Sequence, residues 1–438
     1  MTIVIESAII IAYMINDRIG MALMLTFIVG KILFAKRNAI NKVFELMIVA
    51  LPMSYVGFAG VSMHQIFSWY NFFLVIFMVM ITTHSSAKIM ISISGALSLF
   101  IIFFCMLLNI FWTRDITRSF IEIAQIMIML IPLLAVHSNR MRSPFSRNDI
   151  YELLYKYADV CVATAIAMLV QYYLYNYTHR QIGTIVFSGN SRAQLCVLFK
   201  GASILPIFIG IGIAFLFIEL LDKKLTIIGL IKIIVMFFAV ILNSSRTALF
   251  SLIIVSAMIS IQYLLKAPSL RGMLLTGIGF TSFYFAVDYI TRIRSKLQGF
   301  LDANGRVETW KNGIHVWTES FKNFILGDGF SLERWTAVAK PHNMIIQTLT
   351  QCGLVITLVV IGMLTKYLLD NRHSKYFFIP VFVVLSGMLV TDFYANAFIT
   401  VIFMLVDLYG RANDSRQGIY SSAINRRLGL GQKEARSI

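Results

Sequence analysis

The sequence predicts an all-α fold: a polytopic transmembrane helix bundle of about 12–14 spans with one long extramembrane loop containing amphipathic helices. Three observations carry that expectation. Of 438 residues, 58% are hydrophobic and only 13% charged, and the mean hydropathy is +0.78; an ordinary globular chain is about 25% charged. Apolar runs of roughly 17–25 residues recur from one end to the other, each long enough to cross a bilayer as a helix. With 22 Met, 35 Phe and no alternation of period two, these runs are helices rather than barrel strands. Finally, Lys and Arg fall mostly in alternate connections, as they do when basic loops stay on the inner side. The net charge of +17 is thereby assigned to topology, and no nucleic-acid partner is expected.

Spans are expected near Ile3–Met14 and Met21–Phe34, with Glu6 inside the first, followed by the basic inner connection Lys36, Arg37 and Lys42. The next four, near Val43–Val61, Trp69–Thr83, Met90–Phe111 and Phe120–Val136, end at the basic turn Arg140, Arg142 and Arg147. The seventh, Tyr155–Tyr177, closes on Tyr172, Tyr173, Tyr175 and Tyr177, an aromatic belt for the outer interface. An outer loop, Thr178–Ser191, leads into Ala193–Glu219, which places Lys200 about two turns inside the apolar run. Leu225–Leu242, Ala248–Leu265 and Met273–Ala286 follow, preceded on the inner side by Asp222-Lys223-Lys224 and joined by Asn243–Arg246 outside and Lys266–Arg271 inside. That alternation leaves 288–342 outside as the long loop. Met344–Leu368, Phe377–Val390 and Tyr394–Leu408 complete the bundle, and a basic tail, 410–438, returns to the inner side. The whole chain, 1–438, reads as a single integral membrane domain without inverted repeats. Cys105, Cys161, Cys196 and Cys352 lie in or beside apolar segments and are expected to pack rather than pair. The N-terminus has no basic n-region or small-residue cleavage site, so no removable signal peptide is expected.

Candidates for chemistry are the charges at outer ends of spans that topology does not explain: Arg180, Arg192, Arg246, Arg306 and His342. A guanidinium binds phosphate oxygens through a planar fork and stays charged when partly desolvated. Several together would hold a diphosphate, whereas one alone also snorkels to lipid phosphate. Arg246 closes a tight polar turn, Asn243-Ser244-Ser245-Arg246, between two apolar segments. Lys200 is costly inside a span, so it should face protein or water, or snorkel outward. From Arg306 to Phe321 the residues Val307, Trp310, Ile314, Trp317 and Phe321 recur at three- and four-residue spacing, which predicts an amphipathic helix lying in the membrane interface. Turns bracket it at Asp302–Gly305 and at Gly327-Asp328-Gly329. His342 follows Pro341 and stands, with Asn343, just before an apolar helix, where an imidazole of ordinary pKa about 6.5 can accept a proton from a hydroxyl. HExxH, GxSxG, Walker and His/Cys cluster motifs are all absent, so metal hydrolase, serine hydrolase and ATPase readings lack support, and no metal or other cofactor is expected.

These elements, in this order, resemble the O-antigen ligase/polymerase family of bacterial membrane glycosyltransferases. The resemblance runs from Arg180 to Gly362 and rests on Arg180-Gln181-Ile182-Gly183 with Phe187 and Asn190, Ser245-Arg246-Thr247, Gly305-Arg306 with Trp310, Gly327-Asp328-Gly329, and His342-Asn343 followed by Gly353. It implies metal-independent transfer of a glycan from an undecaprenyl-diphosphate-linked oligosaccharide to an acceptor sugar hydroxyl, on the periplasmic face of the bacterial inner membrane. Arg180, Arg246 and Arg306 would hold the diphosphate and His342 the acceptor, with Arg192, Lys200, Asn343 and Trp310 completing the binding set. The tail would then be cytoplasmic and the long loop periplasmic. Partners would be the carrier-linked oligosaccharide, an acceptor glycan or lipid A-core, and membrane lipids. Ile356 stands where ligases of the family carry a glycine or a small or hydroxylated residue, which favours polymerase over ligase. A lipid-linked glycan flippase is the reading from a different class, motivated by the many spans and Lys200.

Overall fold

The structure is a computed structural model that describes residues 2–34, 37–57, 66–84, 91–113, 115–138, 145–188, 192–201, 203–222, 226–243, 245–266, 270–294, 306–330, 340–388 and 396–427. Among them the chain is almost entirely helical, with a single two-stranded hairpin. The helices are α1 (Thr2–Ile15), α2 (Asp17–Phe34), α3 (Ala39–Val49), α4 (Trp69–His84), α5 (Ile93–Ile110), α6 (Ile116–Ser138) and α7 (Arg147–Thr178). The hairpin, β1 (Thr184–Ser188) and β2 (Arg192–Val197), separates these from α8 (Ile204–Leu221), α9 (Ile227–Asn243), α10 (Arg246–Lys266) and α11 (Leu270–Arg294). Two short helices, α12 (Arg306–Thr318) and α13 (Phe321–Leu326), precede α14 (Met344–Asp370), α15 (Phe378–Gly387) and α16 (Ala397–Arg427). Six of them, α5, α6, α7, α8, α10 and α14, are long and apolar enough to cross a membrane, and α1, α4, α9 and α15 are shorter apolar helices.

The bundle is built around α7 and α8. Ser146 starts α7 with a reciprocal capping box: its Oγ accepts from Asp149 N (3.1 Å), and Asp149 Oδ2 accepts from Ser146 N (2.9 Å). His179, in the left-handed region at φ 55°, ends it. Apolar residues surround α8 on every side, and it is buried along nearly its whole length. Glycine lets it approach its neighbours: a Cβ at Gly210 would stand 2.5 Å from the Phe382 ring, and one at Gly212 would stand 2.7 Å from Cys161. Small residues at such crossings substitute for the hydrophobic effect, which is missing between helices in lipid. The four cysteines are likewise buried in packing positions.

Glu6, a carboxylate inside an apolar helix, is paired rather than stranded. Lys156 of α7 bonds to it and lies 3.7 Å from Glu45 of α3, which also takes Lys31 (2.5 Å) and Arg37 (3.4 Å). Lys232 of α9 reaches Asp159 of α7 at 2.5 Å. Buried charges survive in such helices only when matched in this way, so these pairs fix how α1, α2, α3 and α9 dock on α7.

Two expected spans are corrected. The third stops at Val49, because Pro52 lies in a one-turn 3-10 segment, Leu51–Met53, and residues 58–61 lie outside those described. The eighth begins eleven residues late: 193–197 belong to β2, and the helix starts at Ile204. Lys200 therefore sits in an exposed connection, not within a span. It pays no desolvation cost there, which removes the main reason for giving it a buried partner or a substrate.

Gln171, fully buried on α7, holds the base of the hairpin. Its Nε2 donates to Ile182 O (2.6 Å) and Thr184 O (3.1 Å), while its Oε1 accepts from Val197 N (3.0 Å). Val197 is itself at φ 57°, a rare conformation for a β-branched residue, at the bulge where the pairing slips between Thr184 and Ile185. Gly183 N completes the anchorage by donating to Met14 O at the end of α1 (2.9 Å). Gln171→Ala removes three hydrogen bonds to backbone groups and is expected to cost about 2–4 kcal/mol. Unfolding of the purified protein in detergent measures this, and a loss below about 0.5 kcal/mol would show that the strands hold without it.

Candidate functional site

The hairpin, the C-terminal end of α9 and the N-terminal end of α10 meet at one end of the bundle. Asn243, the last residue of α9, donates from Nδ2 to Leu195 O of β2 (2.6 Å). Arg246 opens α10 three residues later, and Leu249 N donates to Ser245 O in the first helical turn. The backbone N–H groups of Arg246, Thr247 and Ala248 precede that first bond, so the helix presents the positive end of its dipole here. Ser245 Oγ is buried beside them without a hydrogen-bond partner among the described residues.

The first turn of α12 lies against this end of α10. Arg306 Nη2 donates to Thr247 Oγ1 (3.3 Å). Burial, followed by the positive charge of Arg246, lowers the pKa of the Arg306 guanidinium. Among the described residues Arg306 has no carboxylate partner. Two half-buried guanidinium groups are thus gathered from elements sixty residues apart.

One turn along α12, Trp310 Nε1 donates to His342 O (3.4 Å). The same helix packs on the turn before α14 through Gly313, where a Cβ would stand 2.8 Å from Ile346 and 3.2 Å from Pro341. The exposed imidazole of His342 is therefore held next to the helix that carries Arg306. Asn343 is the N-cap of α14; its Oδ1 accepts from Ile345 N (2.9 Å) and Ile346 N (3.1 Å). That oxygen is committed to the helix, which leaves the amide nitrogen as the group with which Asn343 would meet a ligand.

The structure brings Arg246, Arg306, Trp310, His342 and Asn343 to one place. Arg180 stands exposed past the end of α7, with no side-chain hydrogen bond or ion pair among the described residues. Arg192 lies at the turn end of the hairpin, opposite Ser188, and its side chain is outside the described residues. Lys200 is exposed in the loop that follows. The expected apolar stripe on α12 is divided. Trp310 and Trp317 turn to the protein, Trp317 Nε1 bonding to Phe324 O (2.9 Å), whereas Val307, Ile314 and Phe321 are exposed. The helix also stops at Thr318, because Ser320 caps a new one by accepting from Asn323 N (3.1 Å).

The Gly327-Asp328-Gly329 turn has a structural task. Gly353 breaks α14 at φ 76° and frees carbonyls in the turn before it. Asp328 N donates to Thr350 O (2.7 Å) and Gly329 N to Gln351 O (3.1 Å), so the loop replaces the missing helical bonds. Asn109 of α5 adds a bond to Leu326 O. Behind His342, Gln347 and Gln351 are buried and joined, Nε2 to Oε1 at 3.1 Å. Sequence reasoning passes over Gly313, Gln347 and Gln351; two glutamines four apart in an apolar helix are the available signal.

A mostly apolar cavity of about 160 Å³ lies between α6, α14, α15 and α16. Met344, next to Asn343, lines one part of it, and His137 and Tyr367 line another. The chain matches no protein-family model and no curated protein.

Proposed function

We propose that this chain is a surface-polysaccharide polymerase of the bacterial inner membrane, transferring glycan repeats from an undecaprenyl-diphosphate donor to an acceptor sugar hydroxyl on the periplasmic side. The observation that carries the reading is Arg306, half-buried beside Arg246 at a helix N-terminus with no carboxylate partner among the described residues, next to the buried Ser245 hydroxyl, which has no hydrogen-bond partner among them. A diphosphate suits this place: Arg306, with Arg246 beside it, takes phosphate oxygens, and the hydroxyl and first-turn amides donate to the same anion. The acceptor oxygen attacks the anomeric carbon, the bond from that carbon to the diphosphate oxygen breaks, and the lipid diphosphate leaves with the electron pair. Arg246 and Arg306 stabilise the negative charge that grows on the leaving group. His342 takes the hydroxyl proton, and Trp310 positions it through the bond to its carbonyl.

In this arrangement α5, α6, α7, α8, α10 and α14 span the membrane with the other bundle helices packed among them, α12 and α13 belong to the periplasmic loop, and the basic tail is cytoplasmic. Val307, Ile314 and Phe321 rest on the lipid surface, and the apolar cavity beside Met344 receives part of the polyprenyl chain. Arg180 and Arg192 flank the hairpin, where they would meet the glycan or the membrane. The flippase reading keeps the many helices as its motivation but loses Lys200, which lies in an exposed connection.

Purified protein in liposomes that carry the lipid-diphosphate-linked repeat tests the proposal. A ladder of lengthened carrier-linked glycan is the expected product. Transfer only when lipid A-core is supplied would instead identify a ligase, and movement of unaltered donor across the bilayer would identify a flippase; either result overturns the polymerase assignment.

A further inference from the structure

A polar cavity of about 380 Å³ lies at the end of α10 opposite Arg246. Arg246 begins that helix and Lys266 ends it; at 1.5 Å per residue the two ends are about 30 Å apart, the thickness of a bilayer core. The cavity is bounded by the ends of α8 and α10 and by the turn between α14 and α15. Lys266, Arg372, His373 and Lys375 line it, with Asp222 as the one carboxylate among its lining residues.

The charges divide into a fixed part and an open part. Glu219 is buried at the end of α8 and accepts from Tyr151 (2.5 Å), Tyr376 (2.8 Å) and Lys375 (2.5 Å). Lys375 also reaches Asp222 at 2.6 Å. Burial pulls the Lys375 ammonium down, but its bonds to Asp222 and Glu219 outweigh that and hold it above its ordinary value, so it remains a cation. This knot neutralises its own charges and makes a rigid wall. Lys266 and Arg372 are different. Neither has a carboxylate partner among the described residues, and Arg372 is oriented by a bond from Nε to His373 Nε2 (3.0 Å), which leaves both of its Nη groups directed elsewhere. Two cations at the mouth of a rigid polar cavity, at the level of a membrane surface, suit an anion with several oxygens.

We infer that this cavity is a phosphate-binding site, with Lys266 and Arg372 as the ligands of a phosphate monoester or of a phospholipid phosphodiester at the membrane surface opposite the Arg246–Arg306 pair. Ser374, Gln262 and Tyr263 line the same space and would complete the shell. The inference stands apart from the glycosyltransferase reading, because no group is shared between the two ends.

The test uses the full chain in phosphatidylcholine nanodiscs, titrated either with inorganic phosphate at constant ionic strength or with phosphatidylglycerol placed in the bilayer. Thermal unfolding and retention of phosphatidylglycerol in native mass spectrometry are the readouts. At least one probe should raise the Tm of the wild type. The double variant Lys266→Gln/Arg372→Gln, whose residues are exposed and hold no ion pair among the described residues, should need about tenfold more of that probe or lose the shift. Arg306→Ala should keep it, which separates this cavity from the other end of α10. A response to inorganic phosphate identifies a free anion as the ligand, and a response to phosphatidylglycerol alone identifies a lipid headgroup. No shift with either probe, a shift that the double variant retains, or one that Arg306→Ala abolishes would overturn the inference.

Discussion

If the chain is the proposed polymerase, Arg306→Ala should lower glycan transfer by about two to three orders of magnitude, the usual cost of removing one preorganised group from a developing anion, while the protein remains as stable as the wild type or becomes slightly more so. The second half of this expectation makes the first diagnostic. Among the described residues Arg306 is half-buried against Arg246 with no carboxylate of its own, and its hydrogen bond to Thr247 is 3.3 Å long. Its deletion therefore relieves desolvation and like-charge repulsion in the unliganded protein and forfeits little else. A structural arginine behaves in the opposite way: the fold weakens, and activity falls only as far as the folded fraction does. Arg306→Lys keeps the charge but loses the fork, and an intermediate deficit is expected. The measurement is the initial rate of ladder formation in liposomes beside the Tm of the same preparation. A variant that transfers normally, or one that fails only because it unfolds, would remove Arg306 from the mechanism. Arg246→Ala should match it in rate. His342→Ala should lose less, about two orders of magnitude, because general base assistance is the smaller contribution.

Helical character is easy to read in this chain because each apolar segment is long, and hydropathy registers length well. Hydropathy does not register backbone conformation. Ala193-Gln194-Leu195-Cys196-Val197 looks like the start of a membrane helix, yet it forms a strand, and the signal for that lies upstream: Thr184-Ile185-Val186-Phe187 followed by the polar sequence Ser188-Gly189-Asn190-Ser191. Periodicity likewise predicts α12 but not its rotation. Trp310 and Trp317 have polar N–H groups that find carbonyls, so they turn to the protein, and the fully apolar Val307, Ile314 and Phe321 face outward. The gathering of Arg246 with Arg306 was expected from their shared position at span ends. The contact between Thr247 and Arg306 depends on how α12 docks, which no local pattern encodes. That docking depends on Gly313 and on the seam where α13 meets α14, features made of backbone contacts.

That seam predicts the largest effect on stability. Gly327 (φ 82°, ψ 176°) and Gly353 (φ 76°, ψ −178°) occupy the same extended, positive-φ region, which is open to glycine alone. They also face one another. A Cβ on Gly353 would stand 2.3 Å from Ile325 O and 2.5 Å from Gly327 N, and a Cβ on Gly327 would stand 2.5 Å from Gln351 O and Cys352 N. All of those are backbone atoms, so no rotamer change relieves the clash. Gly353→Ala and Gly327→Ala should each lose roughly 3–6 kcal/mol, from the strained dihedral and the overlap together. The double variant should lose measurably less than the sum, because both substitutions break the same seam. Gly362, in the same helix with no described atom beyond its own stretch of helix within 4 Å of its Cβ position, is the control; there alanine should be neutral or stabilising by about 0.5–1 kcal/mol. Thermal unfolding of the four proteins decides the matter, and a Gly353→Ala protein as stable as Gly362→Ala would mean that the loop does not hold α14 as described. Where Gly327→Ala still folds, its transfer rate should drop further than its stability explains. The loop that loses its grip on Thr350 and Gln351 is the one that ends α12–α13 and keeps Arg306 beside Arg246.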